Sequence, residues 1–421
     1  MEVGPGLGKI FQIFADKVRN DEIRSILMRF KSEIKPMNER ALKQQMYETF
    51  HPDGWDARLA SFEWKSTTAA TIGQGHLGSL LKDDNQEMPV FCKVMRYNIE
   101  KIIAEEKEVA KKIYLANPSA RNYFQDIISS WYTEIDWTRE VENTRIAAKI
   151  YRKRSVSSLV KVDTCEIVAH FPDRNPQFLA MRLAPGKSLS YHLENMEKLS
   201  VNKVKGIAKF LEYLLDIWYK EIAQKSGYYH GDLHAGNILY EISEEEEKSI
   251  ATLIDFGNFE SVPRKTFQDF FLVVLSISLG NYREACKQLG MSKAQYNLPA
   301  WIKFTSDLEN SFSIEQMGSF ESIDCFVRRV IDVIGRHPCL PIPGSLTNFL
   351  RAKILIEGNL EVFRQNNPYA HLCKIKSPSD IYIKYVPKLK AIHKVFKALK
   401  RSFSDSTIGP FVQRARAIHE M

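Results

Sequence analysis

Tyr228-Tyr229-His230-Gly231-Asp232-Leu233-His234-Ala235-Gly236-Asn237-Ile238-Leu239-Tyr240, answered by Leu253-Ile254-Asp255-Phe256-Gly257, is the stretch on which the reading of this 421-residue chain turns. An aspartate, an asparagine five residues later and the aspartate of a D-F-G turn stand in the order and at the spacing that phosphoryl transfer uses. Moving a γ-phosphoryl group is mainly a matter of charge and alignment, so the protein supplies oxygen ligands for Mg²⁺ and little covalent chemistry. On this pattern Asp232 accepts a hydroxyl proton, and Asn237 and Asp255 hold metal. A plain polar turn would also use Gly, Asp and Asn, but the D-F-G at hairpin distance argues against it. His230 and His234 have no cysteine or further histidine nearby to complete a zinc set; His230 is expected to brace the loop and His234 to line it.

Working upstream, Pro89-Val90-Phe91-Cys92-Lys93-Val94 predicts an apolar strand with one lysine inside it. A buried lysine is costly unless paired, and in kinases the pair is a helix glutamate plus the nucleotide phosphates; an edge lysine facing water is the alternative. Helical sequence from Ile99 to Ile150, broken near Asn117-Pro118-Ser119, contains Glu134, Asp136 and Glu140. At about 3.6 residues per turn Asp136 and Glu140 share a face, with Glu134 to one side, so a carboxylate there is within reach of Lys93. The same acids would equally suit a solvated helix face. Ahead of the strand, Thr68-Ala69-Ala70-Thr71-Ile72-Gly73-Gln74-Gly75-His76-Leu77-Gly78 is a small-residue hairpin loop that lets backbone amides approach phosphate oxygens. Gly73, Gly75 and Gly78 reproduce G-x-G-x-x-G only when counted from the later residues. A strand pair, Ser158 to Val168 and Gln177 to Leu183, leads to Met181-Arg182-Leu183-Ala184-Pro185-Gly186, a hinge whose backbone groups would bond adenine.

With 44% hydrophobic and 26% charged residues the chain can bury a large core, as one bilobal unit or two domains. Six cysteines without a C-x-x-C pair point to reduced thiols and a cytosol-like compartment. The N-terminus has neither the pattern of a secretory signal nor that of a transit peptide. The longest apolar run, Phe270 to Leu279, is shorter than the roughly 20 residues a membrane span needs and reads as a buried helix. These features predict a cytoplasmic or peripheral membrane protein. Net charge is +8, and Lys374 to Arg401 carries nine Lys or Arg against one acid, Asp380, which accounts for the whole excess. There Val386, Leu389, Ile392, Phe396, Leu399 and Phe403 recur at helical spacing among lysines. Such a helix suits an anionic membrane surface or lipid, or packs on the larger lobe with its lysines in water; no base-reading module accompanies it, so nucleic acid is not expected. Helical sequence from Ile10 to Phe50 forms a leader. The expected fold is α+β and bilobal, protein-kinase-like: a helical extension over 1–58, a small β-rich lobe over 59–187 and a larger, mostly helical lobe over 188–421. No A-P-E closes an activation segment, which counts against an ordinary protein kinase.

Together these motifs resemble the UbiB/ADCK family of atypical kinases, associated with coenzyme Q biosynthesis. Thr68 to His76 is similar to its alanine-rich loop, Val90 to Val94 to its lysine strand, Glu134-Ile135-Asp136-Trp137 through Glu140 and Asn143 to its E-x-D motif, and His230 to Asn237 with Asp255 to Gly257 to its closing motifs. Lys9-Ile10-Phe11-Gln12 resembles its K-x-G-Q motif, with Phe11 in place of glycine. The resemblance implies a fold that binds ATP or ADP with Mg²⁺ and an ATPase or kinase acting on, or regulated by, lipid or small-molecule ligands of the ubiquinone-pathway kind. It implies Asp232 as catalytic base, Asn237 and Asp255 as metal ligands, and Lys93 as the phosphate lysine paired to Glu140. Ala69 and Ala70, with Thr71, Ile72, Met181 and Leu183, would contact nucleotide, and Glu134 and Asp136 would meet a gating leader at Lys9 and Gln12. A small-molecule phosphotransferase of the choline or aminoglycoside kinase type and a nucleotide-binding pseudokinase scaffold are the alternatives.

Overall fold

The structure, a computed structural model, describes residues 36–51, 58–69, 72–116, 135–152, 160–171, 173, 177–242, 249–292, 298–313, 323–337, 340, 344–382 and 384–385. Lys9, Gln12, Ala70, Thr71, Glu134 and the basic segment from Val386 onward lie outside these residues. The chain divides into two compact units, Met1–Arg152 with Asp163–Pro185 and Ile254–Gly257, and Lys153–Val162 with Gly186–Leu253 and Asn258–Met421.

The first unit is built on an antiparallel sheet. Among the described residues its first helix is α1 (Glu39–Phe50), started by Asn38, whose Oδ1 accepts from the amides of Arg40 and Ala41. Strands β1 (Leu59–Phe62), β2 (Thr68–Ala69), β3 (Gly73–Leu81) and β4 (Glu87–Met95) follow, then α2 (Ile99–Ala116) and α3 (Trp137–Arg152); after β5 (Val160–Thr164), which joins a sheet of the second unit, come β6 (Ile167–Phe171) and β7 (Phe178–Arg182). The sheet order is β1-β3-β4-β7-β6, with β2 added on β3. Strand period 2 sorts β4 cleanly. Val90, Cys92 and Val94 are fully buried with Leu80, Phe178 and Ala180 in one core cluster, together with Leu42, Met46 and Phe50, the apolar stripe of α1 at four-residue spacing. Phe91 and Lys93 therefore project from the opposite face of the sheet.

Two readings of the sequence are corrected here. Ser158 to Val168 is not one strand: β5 belongs to a different sheet from β6, and only β6 pairs with β7. Val-Lys-Val-Asp-Thr-Cys-Glu-Ile-Val reads as a continuous β-prone run, yet the chain changes sheet at Cys165-Glu166. Nor are Gly73 to Gly78 part of a loop: they lie within β3, the second strand of the β2–β3 hairpin. A Cβ at Gly75 would come within 2.2 Å of the Phe91 ring and 2.6 Å of Thr68 Oγ1, so a larger residue there would displace both side chains.

The second unit holds β8 (Lys187–Ser188), α4 (Leu189–Glu194), α5 (Val201–Gln224), β9 (Tyr228–His230), β10 (Ile238–Glu241), β11 (Ser249–Leu253) and β12 (Phe259–Ser261). The helices α6 (Arg264–Ser278), α7 (Tyr282–Gln288), α8 (Pro299–Ser311), α9 (Ile323–Gly335), α10 (Gly344–Asn366) and α11 (Pro378–Tyr382) complete it. One sheet has the order β5-β11-β10-β8, and a two-stranded ribbon pairs β12 with β9. The core is aromatic. Trp218 of α5 stacks on Phe349 of α10 with centroids 5.7 Å apart, and Phe349 also meets Tyr229, Phe267 and Phe270 edge-on. The apolar run expected to be a buried helix lies mostly in α6, where Phe270, Phe271, Val273, Val274 and Ile277 are buried. Among the described residues no helix is long and apolar enough to cross a membrane.

Candidate active site

In the first unit Lys93 of β4 and Glu140 of α3 are brought together: Lys93 Nζ donates to Glu140 Oε1 at 2.5 Å and lies 3.5 Å from Asp255 Oδ1. The strand alternation that turns Lys93 away from α1 is what presents it to α3. Side-chain exposure is 21% for Lys93, 5% for Glu140 and 50% for Asp255, so the ion pair is sheltered while Asp255 reaches water. Burial works against the Lys93 ammonium, but the carboxylates of Asp255 and Glu140 outweigh it and hold Lys93 above the ordinary lysine range. Lys93 is a charged lysine at neutral pH. Cys165 shares this field, and burial pushes its thiol up to about 12, which leaves it inert as a nucleophile.

Asp255 sits at φ +62°, left-handed backbone that non-glycine residues adopt sparingly. The following residue is clamped: buried Asn143, one turn beyond Glu140 on α3, donates through Nδ2 to the Phe256 carbonyl at 2.9 Å. One helix thus carries both the partner of Lys93 and the anchor of the D-F-G turn. Aspartate in a strained conformation, held by its neighbours, is a pattern of functional sites.

In the second unit the loop between β9 and β10 is organised by its own side chains. His230 is fully buried and its Nδ1 accepts from the Asp232 amide at 3.2 Å, while its carbonyl accepts from Trp218 Nε1 at 3.3 Å. The Gly231 amide donates to the Asn258 carbonyl at 2.7 Å, and a Cβ on Gly231 would meet Asn258 Oδ1 at 2.7 Å. His234 Nδ1 accepts from the Gly236 amide at 3.0 Å, which leaves the proton on Nε2, 4.0 Å from Asp232 Oδ2. Asn237 Nδ2 donates to the Asp232 carbonyl at 2.9 Å. With its nitrogen committed there, Asn237 offers its remaining amide oxygen, and Asp255 offers a half-exposed carboxylate. Both are hard oxygen donors of the kind Mg²⁺ takes. Among the described residues no three or more His, Cys, Asp or Glu side chains cluster to hold a metal alone.

The other expected nucleotide contacts fare unevenly. Ala69 pairs with Gln74 on the β2–β3 hairpin, and the Ile72 carbonyl accepts from the Arg96 amide at 2.8 Å. Met181 is buried inside β7, paired with Phe91 and Ile167. The Leu183 amide already donates to the Pro89 carbonyl at 3.0 Å, so the backbone donor expected of the hinge is taken at that residue. Asp136 caps α3, its Oδ1 accepting from the amides of Thr138 and Arg139 at 3.1 and 3.4 Å.

Sequence reasoning missed three supporting groups. Asn143 stands in the sequence only as the last residue of a motif, with nothing beside it to mark its partner. Gln74 and His76, buried in β3, form a chain in which Gln74 Oε1 accepts from the Met37 amide at 2.6 Å, Gln74 Nε2 meets His76 Nε2 at 2.9 Å and His76 Nδ1 meets the Glu63 carbonyl at 2.8 Å. Two polar residues alternating on one strand face were the available signal. Asn359 of α10 donates to the Leu233 carbonyl at 3.0 Å, a contact 126 residues apart that no local pattern announces.

A family model described as an ABC1 atypical kinase-like domain matches residues 29–289. The chain is similar to an uncharacterized protein of Acanthamoeba polyphaga mimivirus, 22% identical over 79% of this chain and 41% of that protein. It is also similar to an uncharacterized protein in the hydrogenase 1 5′ region of Clostridium pasteurianum, 21% identical over 85% of this chain and 65% of that one. The chain therefore spans less than two thirds of either relative's length.

Proposed function

Because this chain belongs to the ABC1 atypical kinase-like family, known also as UbiB/ADCK, we propose that it binds ATP or ADP with Mg²⁺ and cleaves or transfers the terminal phosphoryl group. The observation that carries this reading is the Lys93–Glu140 pair with Asp255 beside it, a sheltered cation within 3.5 Å of a strained, half-exposed carboxylate. Lys93, held in place by Glu140, offers its ammonium to phosphate oxygens. Asp255 and the Asn237 amide oxygen would hold Mg²⁺, which when bound neutralises phosphate charge. Asp232, its amide tied to His230, its carbonyl to Asn237 and its Oδ2 4.0 Å from His234 Nε2, offers its carboxylate to accept the proton of an attacking hydroxyl or water.

The acceptor is proposed to be a lipid or a lipid-like small molecule met at an anionic membrane surface. The basic, amphipathic segment from Lys374 to Phe403 supports this. Asp232→Asn is the test: it keeps the loop's shape, so nucleotide binding persists while MgATP turnover falls by about 10²–10⁴-fold. Undiminished turnover in that variant overturns the assignment.

A further inference from the structure

We propose that Asn359 of α10 is a positioning residue for the catalytic loop, acting through the Leu233 carbonyl; the inference rests on the reading of Asp232 as the base. Leu233 lies between Asp232 and His234 and is fully buried, as is nearly all of Asn359, 4% exposed. The loop's own donors serve the neighbouring carbonyls: the Asp232 carbonyl takes the Asn237 side chain and the His234 amide, and the His234 carbonyl takes the Asn237 amide. The Leu233 carbonyl takes its bond from outside, from Asn359 Nδ2 at 3.0 Å. That bond fixes the peptide plane joining Leu233 to His234, and with it the directions in which the Asp232 carboxylate and the His234 ring leave the backbone.

The helix that delivers the donor is itself held at several points along its length. Asn348 Nδ2 donates to Glu260 Oε1 and Oε2 at 3.0 and 3.1 Å, on the strand that pairs with β9. Phe349 is stacked on Trp218, whose indole N–H reaches the His230 carbonyl. Lys353 donates to both oxygens of Glu357 at 2.6 and 2.7 Å, and Tyr219 of α5 donates to the same carboxylate at 2.7 Å, all three side chains being buried. The Lys353–Glu357 pair lies within α10, at i and i+4, and the Tyr219 hydroxyl is the group that ties its carboxylate to α5. Asn359 follows Glu357 by two residues on the helix so held. The helix lies beyond residue 289, where the family match ends.

The test compares full-length wild type with Asn359→Leu, Asn359→Ala and Tyr282→Phe by three readouts: hydrogen exchange of the peptide spanning residues 229–240, ADP affinity, and MgATP turnover at a temperature well below melting. In both Asn359 variants loop exchange rises about 10-fold or more, turnover falls about 10–100-fold, and ADP affinity stays within about twofold. Tyr282→Phe removes the hydrogen bond from α7 to the Phe312 carbonyl, away from α10, and lowers the melting temperature, yet loop exchange and turnover stay within about twofold of wild type. The proposal is overturned by unchanged loop exchange in both Asn359 variants, or by equal effects in Tyr282→Phe. A wild type without MgATP turnover overturns the proposed activity instead, and the exchange comparison then decides the positioning role by itself.

Discussion

Lys93 shows what a single residue contributes. Its ammonium neutralises Glu140, whose carboxylate is 5% exposed, so Lys93→Met leaves a carboxylate buried without its partner. Removing one member of such a pair costs about 3–5 kcal/mol, and the 21% exposure of Lys93 places the loss near the lower end. Urea unfolding should show that loss in Lys93→Met and a recovery of much of it in the double variant Lys93→Met with Glu140→Leu. At this scale the sequence was informative. Lys93 and Glu140, paired from their motifs, are brought together with Asp255 beside them, and Asp232 and Asn237 sit inside a short motif whose residue types suit the proposed chemistry of phosphate and Mg²⁺. The choice of Glu140 over Asp136 came from family resemblance, since helical spacing alone put both on one face; the structure spends Asp136 on capping α3. The φ of Asp255 and the clamp from Asn143 could not be read, because each depends on a turn meeting a helix more than a hundred residues earlier.

Among the elements, α1 and β3 illustrate how a helix is fastened to a sheet by more than apolar contact. The chain from the Met37 amide through Gln74 and His76 to the Glu63 carbonyl is consistent only with a neutral imidazole. The proton sits on Nδ1, facing the carbonyl, and Nε2 accepts from Gln74. Burial lowers the His76 pKa from 6.5, with the Glu63 carbonyl opposing, and Phe62 stacks on the ring. The stabilisation is therefore complete above pH 6.5 and is lost as the pH falls below it toward the folded-state value. Each such histidine contributes a slope of at most about 1.4 kcal/mol per pH unit. His170 and His192 are lowered by burial in the same direction, so His76→Gln should shrink the acid-side loss in urea midpoints between neutral and mildly acidic pH without abolishing it. An unchanged pH dependence in that variant would contradict the neutral-imidazole chain. Elements with strong periodicity were readable, among them α5, α6 and the β10–β11 hairpin. The break at Cys165-Glu166 was not, because Val160 and Val162 bury in one sheet and Ile167 to Phe171 form the edge of another, while β-propensity is blind to which sheet a strand joins.

For the molecule as a whole, charge and nucleotide are the two handles. The excess of +8 resides in Lys374 to Arg401, and the described part of that segment is already partly engaged. Lys376 Nζ lies 3.1 Å from Glu212, and Lys384 Nζ lies 3.1 Å from Asp216, both acids on α5. Exposed pairs of this kind add little stability. The lysines beyond them are expected to bind anionic vesicles, with cosedimentation lost on deleting residues 386–421 and weakened by salt. Retention of vesicle binding in the truncated chain would remove that role from the segment. The measurement that bears most directly on the central claim is thermal melting of the full chain with ADP or ATP, with and without Mg²⁺. At a ligand concentration about 100 times Kd, binding adds about 2.7 kcal/mol, a shift of several degrees. The account predicts that shift for wild type in the presence of Mg²⁺ and its loss in Asp255→Ala and Lys93→Met, each compared with its own nucleotide-free melt. No shift in wild type, or an equal shift in both variants, would contradict it.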